Sequence, residues 1–88
     1  MKIKVELFGV CREFSDNNFL DLEFDKNIQI KDIRNEMIKL VKNKFPENNN
    51  YLEMVKKSAF SSKDEIVEDD FILSKNETVS IIPPIGGG

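Results

Sequence analysis

The most constraining feature of this chain is a change of hydrophobic period: residues 30–45 follow the period of an α-helix, and the flanking segments alternate as strands do. The apolar residues of the helical segment recur at three- and four-residue steps: Ile30, Ile33, Met37, Ile38, Val41 and Phe45. Polar residues occupy the opposite, solvent-facing side: Lys31, Arg34, Asn35, Lys39 and Lys42. Pro46 and the run Asn48-Asn49-Asn50 then end the helix. We therefore expect one amphipathic helix with a single face for packing.

The segment at residues 2–10 alternates cleanly and predicts a half-buried strand. Ile3, Val5 and Leu7 fall on one face, and polar residues fall on the other. Phe8 is the exception, because it shares the polar face of this strand. A large apolar side chain turned away from the core is a candidate contact residue.

Residues 19–24 repeat the alternation, and the turn residues 15–18 predict an antiparallel hairpin with the first strand. Residues 11–14 fit a single helical turn. After the helix, the pattern predicts a strand at 57–61, a turn at 62–64, a strand at 65–67, a loop or short helical turn at 69–74 that places Leu73 in the core, and a strand at 78–82.

One helix can cover only one face of a sheet, so the predicted fold class is α+β: a two-layer domain with a mixed sheet of four to five strands and one main helix. The last strand buries Val79 and Ile81 best if it lies parallel to the first strand, beside it in the centre of the sheet. This is the β-grasp arrangement of ubiquitin-like domains. We expect it to span residues 1–83, followed by a flexible glycine-rich tail at 84–88.

The composition excludes most classes of enzyme. There is no histidine, which rules out Ser-His-Asp and Cys–His catalysis. The single cysteine, Cys11, allows neither an internal disulfide nor a thiolate zinc site, and no glycine-rich phosphate loop occurs. We expect Cys11 to be a small, semi-buried residue with an inert thiol. We also expect no metal, no bound cofactor and no catalysis by this chain alone.

The charge distribution and hydropathy exclude two classes of partner. With 13 basic and 16 acidic residues the net charge is −3, and no basic stripe for nucleic acid is present. No apolar run approaches the roughly 18–20 residues that cross a bilayer, and no signal-peptide pattern opens the sequence. A single cysteine is typical of a reducing compartment, so we expect a cytoplasmic protein.

The tail is the most informative segment for function. Pro83 and Pro84 end the last strand and hold the backbone extended, because proline fixes φ and lacks an N–H. The residues that follow are Ile85, Gly86, Gly87 and Gly88. A glycine run can thread a channel too narrow for any side chain, so we expect another protein to act on the carboxylate of Gly88. The alternative is that these glycines are simply a frayed end.

Residues 3–13 and 79–88, with the ending Pro-Pro-Ile-Gly-Gly-Gly, make the chain similar to the small, sulfur-carrying subunit of molybdopterin synthase (the MoaD family). The resemblance implies that an E1-like activating enzyme adenylates Gly88 with ATP, and that sulfur replaces AMP to give a C-terminal thiocarboxylate. It further implies that the tail enters the large, catalytic subunit of a heterotetramer. There the sulfur converts a pyranopterin precursor into molybdopterin, a step of molybdenum cofactor biosynthesis.

The strand pattern also predicts a docking surface for that large subunit. Phe8 and Ile82 both face away from the helix, near the ends of two strands predicted to be parallel neighbours. We expect them to form an apolar patch beside the tail, with Arg12 adding an ion pair at the rim. We also assign partner contacts to four residues of the tail segment: Pro83, Pro84, Ile85 and Gly86.

Three alternative functions fit the same sequence features. The first is a sulfur carrier for thiamine synthesis or transfer-RNA thiolation. The second is a ubiquitin-like modifier whose Gly88 becomes linked to lysines, and the third is an interaction domain with an inert tail. The sequence does not distinguish molybdenum from tungsten as the eventual metal, and it does not identify the sulfur donor.

Overall fold

The first two strands form the predicted antiparallel hairpin. In the computed structural model, which describes residues 1–84, strand β1 spans Lys2–Leu7 and strand β2 spans Phe19–Glu23. Val5 lies opposite Leu20 in their register. Between the strands a 3₁₀ helix covers Gly9–Phe14, which is longer than the single turn predicted from the sequence.

The last strand lies where the sequence predicts. Strand β7 (Glu77–Ile82) is parallel to β1. On its other side β7 pairs antiparallel with β4 (Ala59–Ser62), and β4 pairs antiparallel with β5 (Glu65–Val67). The order β2-β1-β7-β4-β5 gives a five-stranded mixed sheet with β7 at its centre. The β-grasp prediction is therefore confirmed.

The main helix, α1, spans Ile30–Lys44, and Phe45 is its C-cap. Its start is held by Asp32, whose carboxylate accepts a hydrogen bond from the Gln29 backbone N–H at 2.8 Å. The apolar face of α1 packs on one face of the sheet to form a single core. The buried core side chains from these two layers are Ile3, Val5, Leu7, Leu20, Ile30, Ile33, Met37, Val41, Phe60, Val79 and Ile81.

A second helix, α2 (Asn49–Lys57), was missed by the sequence prediction. The asparagine run does follow the end of α1, but Asn48 is also the N-cap of α2. Its side-chain oxygen accepts a hydrogen bond from the Tyr51 N–H at 3.0 Å. The strand predicted to begin near residue 57 consequently begins at Ala59.

Two short strands lie apart from the main sheet. β3 (Ile28–Gln29) pairs antiparallel with β6 (Ile72–Leu73), so the predicted loop or helical turn at 69–74 contains an extended bridge instead. The prediction that Leu73 belongs to the core is confirmed. Among residues 1–84, no helix is both long enough and apolar enough to cross a membrane.

Candidate docking surface and tail exit

Phe8 and Ile82 lie beside each other at the end of the sheet where the tail leaves. Leu7 and Ile81 are register partners, and Phe8 and Ile82 each follow directly. Phe8 keeps an extended backbone (φ −123°, ψ 154°), so the alternation of β1 continues through it. It is 37% exposed, and Ile82 is half-buried. The structure thus brings together the two apolar residues that the sequence predicts as neighbours.

The apolar row continues onto a third strand, which the sequence reasoning missed. Ala59 of β4 is the register partner of Ile82, and its neighbour Phe60 is buried in the core. Phe8, Ile82 and Ala59 therefore lie side by side on the uncovered face of the sheet; we call them the tail-side row. Val10, two residues after Phe8, is also exposed. No signal in the sequence identified Ala59, because its place depends on the pairing of β4 with β7.

Gly9 lies between the end of β1 and the start of the tail. Its backbone has φ +57°, which turns the chain from the extended Phe8 into the 3₁₀ helix. A Cβ built on Gly9 would lie 3.0 Å from Cγ of Pro83 and 3.9 Å from its Cδ. The Pro83 ring therefore occupies the space that a side chain at residue 9 would need.

The 3₁₀ helix that begins at Gly9 is fixed to the rest of the protein by its buried side chains. Cys11 and Phe14 are fully buried. The Phe14 ring lies 6.2 Å from the ring of Phe45, at the end of α1, and 5.4 Å from the ring of Tyr51 in α2, measured between centroids. Lys44 also donates a hydrogen bond to the Phe14 carbonyl oxygen at 3.2 Å. These contacts hold the segment beside the tail exit in one place.

Arg12 projects from this fixed segment and is exposed. Within residues 1–84 its guanidinium group forms no salt bridge and no hydrogen bond. It lies four residues after Phe8 in the sequence, and it is predicted to lie at the rim of the docking surface. Its partner in an ion pair is not part of the described structure, so that role stays a prediction.

Cys11 offers no reactive thiolate near this surface. Burial raises the pKa of its thiol to about 11, and a hydrogen bond with Ser58 opposes the shift only in part. At neutral pH the thiol is therefore protonated and inaccessible. The prediction of a small apolar residue agrees with this burial, which is complete and not partial.

The remaining predicted site residues fall at or beyond the last described position. Pro83 and Pro84 are half-buried and follow β7 without joining it. Ile85, Gly86, Gly87 and Gly88 lie outside the described residues, so their predicted roles and the division of the chain at residues 83 and 84 are not tested. Within residues 1–84, no group of His, Cys, Asp and Glu side chains is arranged to hold a metal ion.

Comparison with known proteins identifies the family. The model of the ThiS family matches residues 5–88. The fold is similar to that of SAMP1 from Haloferax volcanii, with a TM-score of 0.70, 12% identity and full coverage of both chains. It is also similar to a putative molybdopterin converting factor, subunit 1, from Pyrococcus furiosus, with a TM-score of 0.65, 18% identity, and coverage of 96% of this chain and 98% of that one.

Sequence comparison with curated proteins finds no match. The two structural likenesses fall below the identity at which a shared fold also indicates a shared function, so they support the fold. The family match extends over nearly the whole sequence, including the glycine-rich end. This chain therefore belongs to the ThiS family, as a ubiquitin-like sulfur carrier of the ThiS/MoaD type.

Proposed function

We propose that this chain is the sulfur-carrying small subunit of a molybdopterin synthase and that Gly88 is its reactive residue. The observation that carries the proposal is the tail-side row: two apolar residues on neighbouring strands and one directly after β1 lie beside the point where Pro83 and Pro84 lead the chain away from the sheet. A partner that binds this row is placed to receive the tail in its own active site. The likeness to a putative molybdopterin converting factor subunit supports this choice of partner.

The chemistry at Gly88 follows from the weak electrophilicity of a free carboxylate. A carboxylate oxygen attacks the α-phosphate of ATP in an E1-like activating enzyme, and pyrophosphate leaves. The terminal sulfur of a donor persulfide then attacks the acyl carbon, and AMP leaves. A thiol then attacks the donor's sulfur in the resulting S–S bond. The thiocarboxylate leaves on this chain, and the donor sulfur is left in a disulfide with the attacking thiol.

The partners supply what this chain lacks. Without histidine or a phosphate loop, the chain lacks the commonest general base and the usual nucleotide-binding motif. In the proposal, the activating enzyme binds ATP, and the large synthase subunit binds the pyranopterin and catalyses sulfur transfer. We propose a heterotetramer with the large subunit, located in the cytoplasm. This chain binds no cofactor of its own.

The test is to incubate the purified chain with the activating enzyme of the same organism, ATP and a sulfur donor, and to measure the intact mass. We expect the mass to change by replacement of one oxygen with sulfur. A variant lacking Gly87 and Gly88 is the control, and it should keep the fold and show no change. A full-length chain that stays unmodified under conditions where the enzyme is active would contradict the proposal.

A second candidate is a protein modifier that becomes linked to lysines through Gly88. The likeness to SAMP1 fits this alternative. Sulfur carriers for thiamine synthesis or transfer-RNA thiolation share the adenylation step, so activation does not separate them. The acceptor does: we expect the thiocarboxylate form, mixed with the large subunit and pyranopterin, to yield a dithiolene. Lysine conjugates in cells, or transfer to a thiazole precursor or transfer RNA instead, would favour the other functions.

A further inference from the structure

We propose that Gly9 is a positioning residue for the tail, because its missing Cβ leaves the space in which the Pro83 ring sits. This inference rests on the proposed function, in which Gly88 must reach the active sites of two partners. Gly9 and Pro83 are distant in sequence, and the parallel pairing of β1 with β7 brings them together. The contact fixes where the tail begins.

The geometry leaves little tolerance at this contact. A Cβ at residue 9 would lie 3.0 Å from Cγ of Pro83, which is closer than nine in ten of the contacts that Cβ atoms make in folded proteins, so the proline ring would have to shift. The backbone of Gly9 also has φ +57°, in the left-handed region that glycine adopts at no steric cost. Residue 9 is therefore constrained twice, once by its own backbone and once by Pro83.

The backbone before Pro83 and the segment that contains Gly9 are both held in place. On the side of Gly9, the buried Cys11 anchors the 3₁₀ helix, and its backbone N–H donates to the Phe8 carbonyl oxygen at 3.1 Å. On the other side, Ile82 is held by its pairing with Ala59 in the adjacent strand. The ring of Pro83, which lies outside β7, is the part that must shift when a side chain is added.

A shift of Pro83 is passed on to the tail. Proline fixes its own φ, and it restricts the residue before it, so the Pro83-Pro84 pair cannot absorb a displacement by rotating freely. The start of the tail moves with the ring. Gly9 thus contributes to the direction of the tail without contacting Gly88 or either partner.

The test uses the full chain and a double-mutant cycle. Gly9→Asn adds a Cβ but tolerates a positive φ better than other residues do, and Pro83→Ala removes the Cγ that the new Cβ would contact. We expect Gly9→Asn to lower kcat/KM for ATP-dependent pyrophosphate release by the activating enzyme about tenfold. In the double variant kcat/KM should return to about that of Pro83→Ala alone.

Asn18→Ala is the matched control for backbone strain, because Asn18 also has a positive φ, of +68°, in the connection before β2. We expect this variant to lower the free energy of unfolding while leaving kcat/KM unchanged. If Gly9→Asn is as active as the wild type, or if the double variant is as slow as Gly9→Asn, the proposal is wrong.

A measurement that needs no partner separates this inference from the proposed function. In the wild type, nuclear Overhauser effects should connect the Gly9 Hα protons with the Pro83 Hγ protons. Gly9→Asn should shift the amide resonances of residues 85–88 relative to the wild type. In the double variant these resonances should match those of Pro83→Ala alone. If the wild type is not adenylated, the proposed function fails, and these spectra still decide the role of Gly9: missing effects or an unshifted tail would overturn it.

Discussion

Two arginines of this chain lie in opposite kinds of surroundings. Arg34, on α1, is bound within its own protein: its Nη1 donates to three backbone carbonyls at the end of α2, at 2.8, 3.2 and 2.8 Å. Its Nη2 contacts an Asp69 carboxylate oxygen at 2.7 Å, and its guanidinium carbon lies 5.0 Å from the centre of the Phe60 ring. Arg12, four residues after Phe8 in the sequence, has no such internal partner among the described residues.

The difference shows how to separate residues that hold the fold from residues that serve a partner. The Arg34 side chain is only 15% exposed, and it joins α1, the end of α2 and the loop that precedes β6. Phe8, Ile82 and Arg12 are at least partly exposed and add little to the core. Substitutions around Arg34 should therefore change stability, and substitutions around the tail-side row should change binding.

Arg34→Met should have the largest effect. We expect it to lower the free energy of unfolding by about 3–4 kcal/mol, because three carbonyls at the end of α2 lose a charged donor. The pair with Asp69 contributes little of this, since Asp69 is 53% exposed. Urea denaturation measures the change, and Arg12→Met is the matched control, with an expected loss below about 0.5 kcal/mol. Equal losses in the two variants would remove the distinction.

Phe8→Asp and Ile82→Asp should weaken binding to the large subunit by about 3 kcal/mol, on the order of a hundredfold in Kd. The reason is that a charge would have to be desolvated in an apolar contact. Calorimetric titration measures the affinity, and urea denaturation checks that the fold is kept. Thr78→Asp is a suitable control, because Thr78 is exposed on β7 away from the tail exit. Unchanged affinity in both row variants would show that the partner binds elsewhere.

Cys11 should make stability fall at alkaline pH. Burial raises its pKa from 9.0 to about 11, so between these values the unfolded chain loses the proton while the folded chain keeps it. The unfolded state is then favoured, and we expect a loss of about 2–3 kcal/mol between pH 9 and 11. The contribution is fully present below pH 9. Cys11→Ala should show a shallower decline over the same interval, and identical slopes would contradict the prediction.

Arg12→Gln should have the smallest effect. We expect it to weaken binding to the large subunit by about 0.5–1 kcal/mol at low salt and by less at high salt, as is typical of an exposed ion pair. Arg12→Lys keeps the charge and should retain most of the affinity. A salt-independent loss, or a loss as large as that of Phe8→Asp, would place Arg12 at the centre of the contact and not at its rim.

The sequence predicted α1 and the two central strands because their signals are local and periodic. It misplaced Arg34 on the solvent-facing side of α1, because periodicity gives the angle of a residue around the helix but not the reach of its side chain. It missed α2 because that helix is short and depends on distant packing: Val55 is buried in the core, and Tyr51 packs on Phe14.

Only part of the candidate site could be predicted from the sequence. Phe8 and Ile82 could be paired because strand parity and a parallel neighbour place them on one face at one end. Ala59 and Gly9 could not, because their roles depend on which strand lies next to β7 and on where the Pro83 ring falls.

By itself, the sequence determined the periods of its strands and main helix, the absence of histidine, and the proline and glycine pattern of the tail. These properties belong to single residues or to short segments. The tertiary structure decided which distant residues meet: Gly9 with Pro83, Ile82 with Ala59, and Arg34 with the end of α2. The physical reason is that side-chain direction repeats along a segment, whereas contacts between segments depend on how the whole core packs.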